Sequence, residues 1–286
     1  MHEILQALGK DALVLDLGCG KGSFSADNYS FMIVRVDIEA PNGKTPPNFV
    51  IAKAEALPFR DSSFRAIIAN HSLEHFANLK ESVREIGRAL RTGGCLYIAV
   101  PDSSTLTDRI YRWLGRGGGH VNSFSKAHTV PDLVESMTRL RLSHTRILCT
   151  SFSFLNRKNL AAPPPRRLVL FAGGRESVLR TATLILRLFD RTFARRTSVY
   201  GWAYYFGNPD RAVDHSTWTN VCVRCGSAHS SACLESKNSI KGSGLTLRYR
   251  CPSCDTLNFY TDDRFGIHFT TSEHSQVPPA GQRRTR

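Results

Sequence analysis

Residues 13–22 read LVLDLGCGKG, an apolar run followed at once by three glycines at alternate positions. Leu13, Val14, Leu15 and Leu17 have the character of a buried parallel strand, interrupted by one acid, Asp16. Gly18, Gly20 and Gly22 then allow a turn with positive φ, where a ligand can lie against bare backbone. Such corners occur where an α/β sheet hands its chain to a helix N-terminus, and nucleotides dock there. Glycine spacing alone is weak evidence, because many strand-to-helix turns need a glycine for steric reasons.

Outward from this corner, strand-like runs recur at 12–17, 31–37, 48–54, 64–70 and 95–100. The clearest helical pattern between them is LKESVREIGRALRTGG, which places Leu79, Val83, Ile86 and Leu90 on one face and ends on Gly93–Gly94. Strands alternating with helices imply right-handed crossovers and a doubly wound, mostly parallel sheet. The connection EAPNGKTPPN after the second strand is too rich in proline and glycine for a helix and reads as a loop. From 101 to 125 the chain is loop-like, with Gly117–Gly119 preceding His120. A helix near 129–140 and a strand near 144–154 follow. APPPRR then opens a basic insertion (157–198), and SVYGWAYYFGN returns as a strand. The pattern divides the chain into a first domain over 1–210, a second over 217–262, and a polar, disordered tail over 263–286.

The chain has 286 residues, 41% hydrophobic and 22% charged, which suits an ordinary globular protein with one sizeable core. No apolar run approaches the ~20 residues of a membrane span. The first ten residues lack the basic and apolar regions of a signal peptide. A reducing, cytoplasmic setting is therefore expected, with the inner membrane surface as a place for peripheral contact. Cys222, Cys225, Cys251 and Cys254 form two CxxC pairs separated by 25 residues, the spacing of a structural Zn2+ ribbon. A formal charge of +14 favours anionic partners, and the stretch from Arg157 to Arg196 holds +8 of it.

The second strand ends VRVDIEA, setting Asp37 and Glu39 on one face at a strand terminus. A carboxylate there can accept hydrogen bonds from both hydroxyls of a ribose. The acid inside the first strand, Asp16, would repel a diphosphate at the turn but favour an amino group or sulfonium. With these features the chain resembles the class I S-adenosylmethionine-dependent methyltransferases, particularly the type 11 family containing ubiquinone and menaquinone methyltransferases. The matching stretches are VLDLGCGKGSFS, VDIE, AKAEALPFRDSSFRAIIANHSLEHF and VREIGRALRTGGCLYIAVPD, in the family's order over roughly residues 12–102. The resemblance implies a Rossmann-like, seven-stranded sheet with S-adenosyl-L-methionine as cofactor. It places Asp16, Gly18, Gly20 and Gly22 around the methionine part, Asp37 on the ribose and Ile38 against the adenine. Ala54 and Glu55 would meet the adenine edge, and Asn70 would face the cofactor from the fourth strand. Lys53 and Arg65 depart from the family pattern, each replacing an acid.

A general base is needed only if the acceptor must lose a proton. His71, His75 and His120 are the candidates; His75 reads as a capping or packing residue in a first helical turn, and His120 as a substrate-side, catalytic residue. The 101–125 loop and the 157–198 insertion are the expected lid. In the insertion, Val178, Ala182, Ile185, Phe189 and Phe193 form one stripe and Arg180, Arg187, Arg191 and Arg195 the opposite face. The plain reading docks the apolar stripe on the sheet and leaves the arginines in solvent; a contact with anionic lipid or with RNA is the alternative. Three functions remain open: a methyltransferase for a small-molecule or lipid-linked acceptor, an RNA methyltransferase, or a non-catalytic adaptor that keeps the cofactor fold.

Overall fold

The computed structural model describes residues 1–41, 45–113, 120–156, 175–193, 197–208, 214, 216–244 and 247–262. Six helices are named here: α1 (His2–Gln6), α2 (Leu79–Ala89), α3 (Leu106–Trp113), α4 (Thr129–Met137), α5 (Glu176–Phe193) and α6 (Ser231–Ser236). The central sheet contains β1 (Leu13–Leu17), β2 (Met32–Asp37), β3 (Phe49–Ile51), β4 (Phe64–Asn70), β5 (Leu90–Pro101), β6 (Leu142–Cys149) and β7 (Val199–Gly207). It continues into β8 (Trp218–Val221) and β9 (Ala228–Ser230), in the order β3-β2-β1-β4-β5-β7-β6-β8-β9. A separate three-stranded sheet holds β10 (Ile240–Lys241), β11 (Arg248–Arg250) and β12 (Leu257–Phe259).

Strands β1 to β5 pair in parallel, and β7 runs antiparallel to both β5 and β6. The first seven strands are the α/β sheet expected from the sequence, and the order reverses between β1 and β4. Ligands of doubly wound folds bind at that reversal. Two strands beyond the expected seven extend the far edge: β8 lies parallel to β6, and β9 pairs antiparallel with β8. Cys222 directly follows β8, so the central sheet runs straight into the cysteine-bearing segment.

The period of two along each strand divides the core between two faces. Leu15, Leu17, Ile67, Leu96 and Ile98 pack with Val83 and Ile86 of α2 and Val130 and Val134 of α4. Val14, Ala66, Ile68, Tyr97 and Ala99 face the other way, onto Ile4 and Leu5 of α1 and onto Phe24 and Phe31. Arg146 of β6 is buried and joins distant parts of the chain. It donates to both Glu3 carboxylate oxygens at 3.0 and 2.8 Å and pairs with Asp214 at 3.0 Å.

Three expectations are corrected by the structure. The helix over 79–94 stops at Ala89, because Leu90 turns to extended backbone and pairs with Phe64; Gly93 and Gly94 lie within β5. The 101–125 loop contains α3, whose start is capped where the Asp108 N–H donates to Thr105 Oγ1 at 3.2 Å. That is a Thr-x-x-Asp capping pattern, legible in the sequence.

The third correction concerns α5. Val178, Ile185, Phe189 and Phe193 of its apolar stripe face outward, with Ile185 57% and Phe193 60% exposed, while Ala182 packs inward with Leu179. The side it buries is Leu179, Thr183 and Asp190, with Leu179 packed on Phe152 and Val223. Arg180 and Arg187, expected in solvent, donate to the carbonyls of Leu257 and Phe259 on β12, each at 3.0 Å. Glu176 receives two bonds from Arg224 at 2.6 and 2.8 Å. Polar groups contribute to this orientation, since the edge carbonyls of β12 need donors and the arginine side supplies them. Arg195, the prolines after Ala162, Gly117–Gly119 and the 263–286 tail lie outside the described residues.

Candidate active site

The site is built on two strand ends that meet at the reversal of strand order. After β1, the turn takes Gly18 to φ 65° and Gly20 to φ 51°. A methyl at Gly18 would stand 2.5 Å from Ser72 Cβ, so only glycine lets the turn after β4 pack this closely. A methyl at Gly20 would meet nothing within 4 Å, which leaves bare backbone facing open space. The first glycine is therefore needed for packing, and the second leaves room for a ligand.

Two carboxylates hold the turn. Asp16 is fully buried beneath it, and its Oδ2 accepts from the Ser23 N–H at 2.9 Å with Arg35 Nε 3.9 Å away. Its Oδ1 is buried and accepts no hydrogen bond among the described residues. Burial pushes this carboxyl above the ordinary aspartate range, against the opposing pull of Ser23 and Arg35. Asp37, at the end of β2, accepts from the Gly20 N–H at 2.7 Å and from the Ile38 N–H at 2.8 Å. A carboxylate has about four lone-pair positions, so two remain for ligand hydroxyls.

The other sequence-selected residues surround this corner. Ile38 is 64% exposed beside Asp37, an apolar surface suited to a flat ring. Ala54 is buried and Glu55 half-buried in the turn after β3, which the Ala52 N–H ties to the Asp37 carbonyl at 3.0 Å. Asn70 ends β4, and with His71 and Gly22 it lines a cleft of about 1010 Å³. That cleft extends toward β9 and does not include Asp37, Ile38, Ala54 or Glu55.

His75 belongs to a 3-10 turn, Leu73–His75, rather than to the first turn of α2. His120 comes to it from the following loop, with ring centroids 5.0 Å apart, and stacks on Tyr111 at 6.0 Å. Burial and the neighbouring His75 lower the His120 imidazole below its ordinary value. Between them lies Glu74, 2% exposed, whose carboxyl is pushed up to about 7 by burial. Glu74 was not selected from the sequence, although the order His71-x-x-Glu74-His75 after a strand end carries the signal. Arg65, at the start of β4, donates to the Gly93 carbonyl and so has a partner despite departing from the family pattern.

The second constellation consists of four thiols. Cys222 and Cys254 stand with sulfurs 3.6 Å apart, as do Cys225 and Cys251, and the four sulfurs lie within 4.8 Å of one another. A tetrahedral ion with bonds of ~2.3 Å requires sulfurs ~3.8 Å apart, so the cluster fits one. The Arg224 N–H and the Asn258 amide both point at Cys222 Sγ, at 3.4 and 3.5 Å, as donors to a thiolate would.

A family model described as a methyltransferase domain matches residues 15–98, the segment that builds this corner. Among curated proteins, the chain is 27% identical over 184 residues to a malonyl-[acyl-carrier protein] O-methyltransferase of Methylococcus capsulatus, covering 55% of this chain and 66% of that protein. It is 30% identical over 101 residues to a demethylmenaquinone methyltransferase of Chlorobaculum tepidum, covering 32% and 42%. An uncharacterised Methanocaldococcus jannaschii protein is 33% identical over 103 residues, covering 35% and 41%. The chain thus spans under two thirds of each relative's length. A SAM-dependent methyltransferase structure from Archaeoglobus fulgidus aligns over 69% of this chain and 86% of its own, at 19% identity and a TM-score of 0.45.

Replacing Gly18 by alanine tests the close approach. We expect G18A to lose about 2–4 kcal/mol in urea unfolding, from overpacking on Ser72 plus left-handed strain. G20A should lose only the strain, about 1 kcal/mol, while weakening ligand binding.

Proposed function

We propose that this chain is an S-adenosylmethionine-dependent methyltransferase acting on a small-molecule or lipid-linked acceptor. The observation that carries the reading is Asp37, held by Gly20 with lone pairs to spare, across from the open backbone of the glycine turn. When bound, S-adenosylmethionine would supply an electrophilic methyl carbon, and the protein's work is placement. Asp37 would accept from the ribose hydroxyls, and Ile38 would cover one adenine face, with Ala54 and Glu55 at the ring edge. Gly18, Gly20 and Gly22 would let the methionine part lie on the backbone. Asp16 Oδ1, buried and without a hydrogen-bond partner among the described residues, would complement a nearby positive charge. Asn70 would stand at the cofactor's side of β4, and His120 on the acceptor's side. The names of the two methyltransferase relatives, which give malonyl-[acyl-carrier protein] and demethylmenaquinone, support a small or lipid-linked acceptor group.

For the cysteine cluster we propose structural Zn2+. Four sulfurs leave no open position, and the small sheet around Leu234, Tyr249 and Tyr260 has little apolar core of its own. The outward stripe of α5 supports a lipid-linked acceptor met at an anionic membrane surface, since Val178, Ile185, Phe189 and Phe193 are all exposed. An RNA contact through the arginine face has less support, because Arg180 and Arg187 already bond to β12.

Methyl-labelled cofactor incubated with fractionated cell extract tests the activity: label should enter small-molecule or lipid fractions rather than RNA or protein. D37A should weaken cofactor binding by roughly ten- to hundredfold in calorimetry, the loss of charge-assisted bonds to two hydroxyls. Binding without turnover on any fraction would favour a non-catalytic adaptor. Stripping metal with a chelator should expose the amides of β10–β12 to hydrogen exchange while those of β1 and β4 stay protected. On the lipid side, Phe189→Asp with Phe193→Asp should abolish co-sedimentation with anionic vesicles and leave cofactor affinity unchanged.

A further inference from the structure

The loop carrying His120 is fastened to the turn after β4 by four hydrogen bonds. The Val121 and Asn122 N–H groups donate to the Glu74 carbonyl at 2.7 and 2.9 Å. The Asn122 side-chain amide donates to the carbonyls of Leu73 and Phe76 at 3.1 and 2.7 Å. All four end on backbone carbonyls, so the clamp brings His120 over His75 without engaging the Glu74 carboxylate. That carboxylate is 98% buried by its residue's 2% exposure, and its Oε2 accepts no hydrogen bond among the described residues. Its other oxygen is 4.0 Å from His71 Nδ1, a buried nitrogen that has no hydrogen-bond partner among the described residues. A buried, unsatisfied carboxylate is costly and is normally paired or bound to a metal.

Ligand atoms of Glu74, His75 and His120 lie within 4.8 Å of one another, and the exposed His75 and half-buried His120 leave an approach from outside. We propose that Glu74, His75 and His120 form a binding site for a divalent transition-metal ion, separate from the cysteine cluster. Two imidazoles and one carboxylate suit Zn2+, Mn2+, Fe2+ or Co2+ better than Mg2+ or Ca2+, which prefer all-oxygen shells. His71 stands close enough to support the Glu74 carboxylate. Three protein ligands leave at least one position open, as in sites where a metal meets substrate. Asn70 and His71 line the adjoining cleft, so the open position would take an oxygen of the acceptor, a hydroxyl or carboxylate. This last role rests on the methyl-transfer reading; the binding of metal does not.

Counting metal separates the two. Full-length protein, freed of metal and then equilibrated with Co2+ alone, should hold about two ions per chain by mass spectrometry, one per cluster. E74Q and H120N should each hold about one while keeping the thiolate-to-cobalt charge-transfer band, which reports an intact cysteine site. C225S with C254S should lose that band and keep the other ion. A wild-type content of one, lost only with the cysteines, overturns the proposal, as does an E74Q/H120N double variant that still holds two. S-adenosylhomocysteine calorimetry on the same samples tests the cofactor reading: heat without a second ion refutes only the metal site, and a second ion without heat refutes only the cofactor.

Discussion

The contact between Gly18 and Ser72 is the constraint on which the site depends. It presses the turn after β1 against the turn after β4, and a single added methyl would forbid it. Because of it, the backbone that can receive a cofactor and the segment bearing His71, Glu74 and His75 share one corner of the sheet. Asp16 braces that corner from beneath through the Ser23 N–H, and Asp37 braces it from the side through the Gly20 N–H. Both acids thus shape the turn before any ligand arrives, and each keeps acceptor capacity in reserve. Such preorganisation lowers the ordering cost of binding, which is how a placement-dominated reaction is served by a small set of side chains.

The corner and the sheet around it were legible because they follow from short-range rules. Buried parallel strands read as apolar runs, and glycines mark the turn that follows the first of them. The orientation of α5 was not legible, because two stripes competed and the decision came from distant carbonyls on β12. Periodicity ranks Val178, Ile185 and Phe189 as the inward face. The bonds donated by Arg180 and Arg187 and accepted by Glu176 favour the other face, and these involve partners between about fifty and eighty residues away. The extension of the sheet through β8 and β9 was hidden for the same reason. These strands have four and three residues and acquire a place only by pairing with β6 and with each other. Glu74 was passed over because one acid between histidines looks like a solvated turn residue until its burial is known. The start of α3, by contrast, had a readable cap in Thr105 and Asp108.

The cysteine segment is tied to the rest of the chain at several places. Its first pair hangs from β8, its second sheet receives α5, and Asn220 and Thr261 exchange two hydrogen bonds at 2.7 and 2.8 Å. Cys225, Gly226 and His229 line the same cleft as Asn70 and His71, so this segment forms one wall of the space beside the cofactor corner. A metal that orders it would fix the shape of that wall.

A crystal structure with S-adenosylhomocysteine bound is the most direct measurement of the central claim. The ribose should lie within hydrogen-bonding distance of Asp37, the adenine on Ile38, and the homocysteine chain along Gly18 and Gly20. Density for the ligand elsewhere, for instance deep in the cleft between Tyr205 and His229 with Gly20 bare, would contradict it.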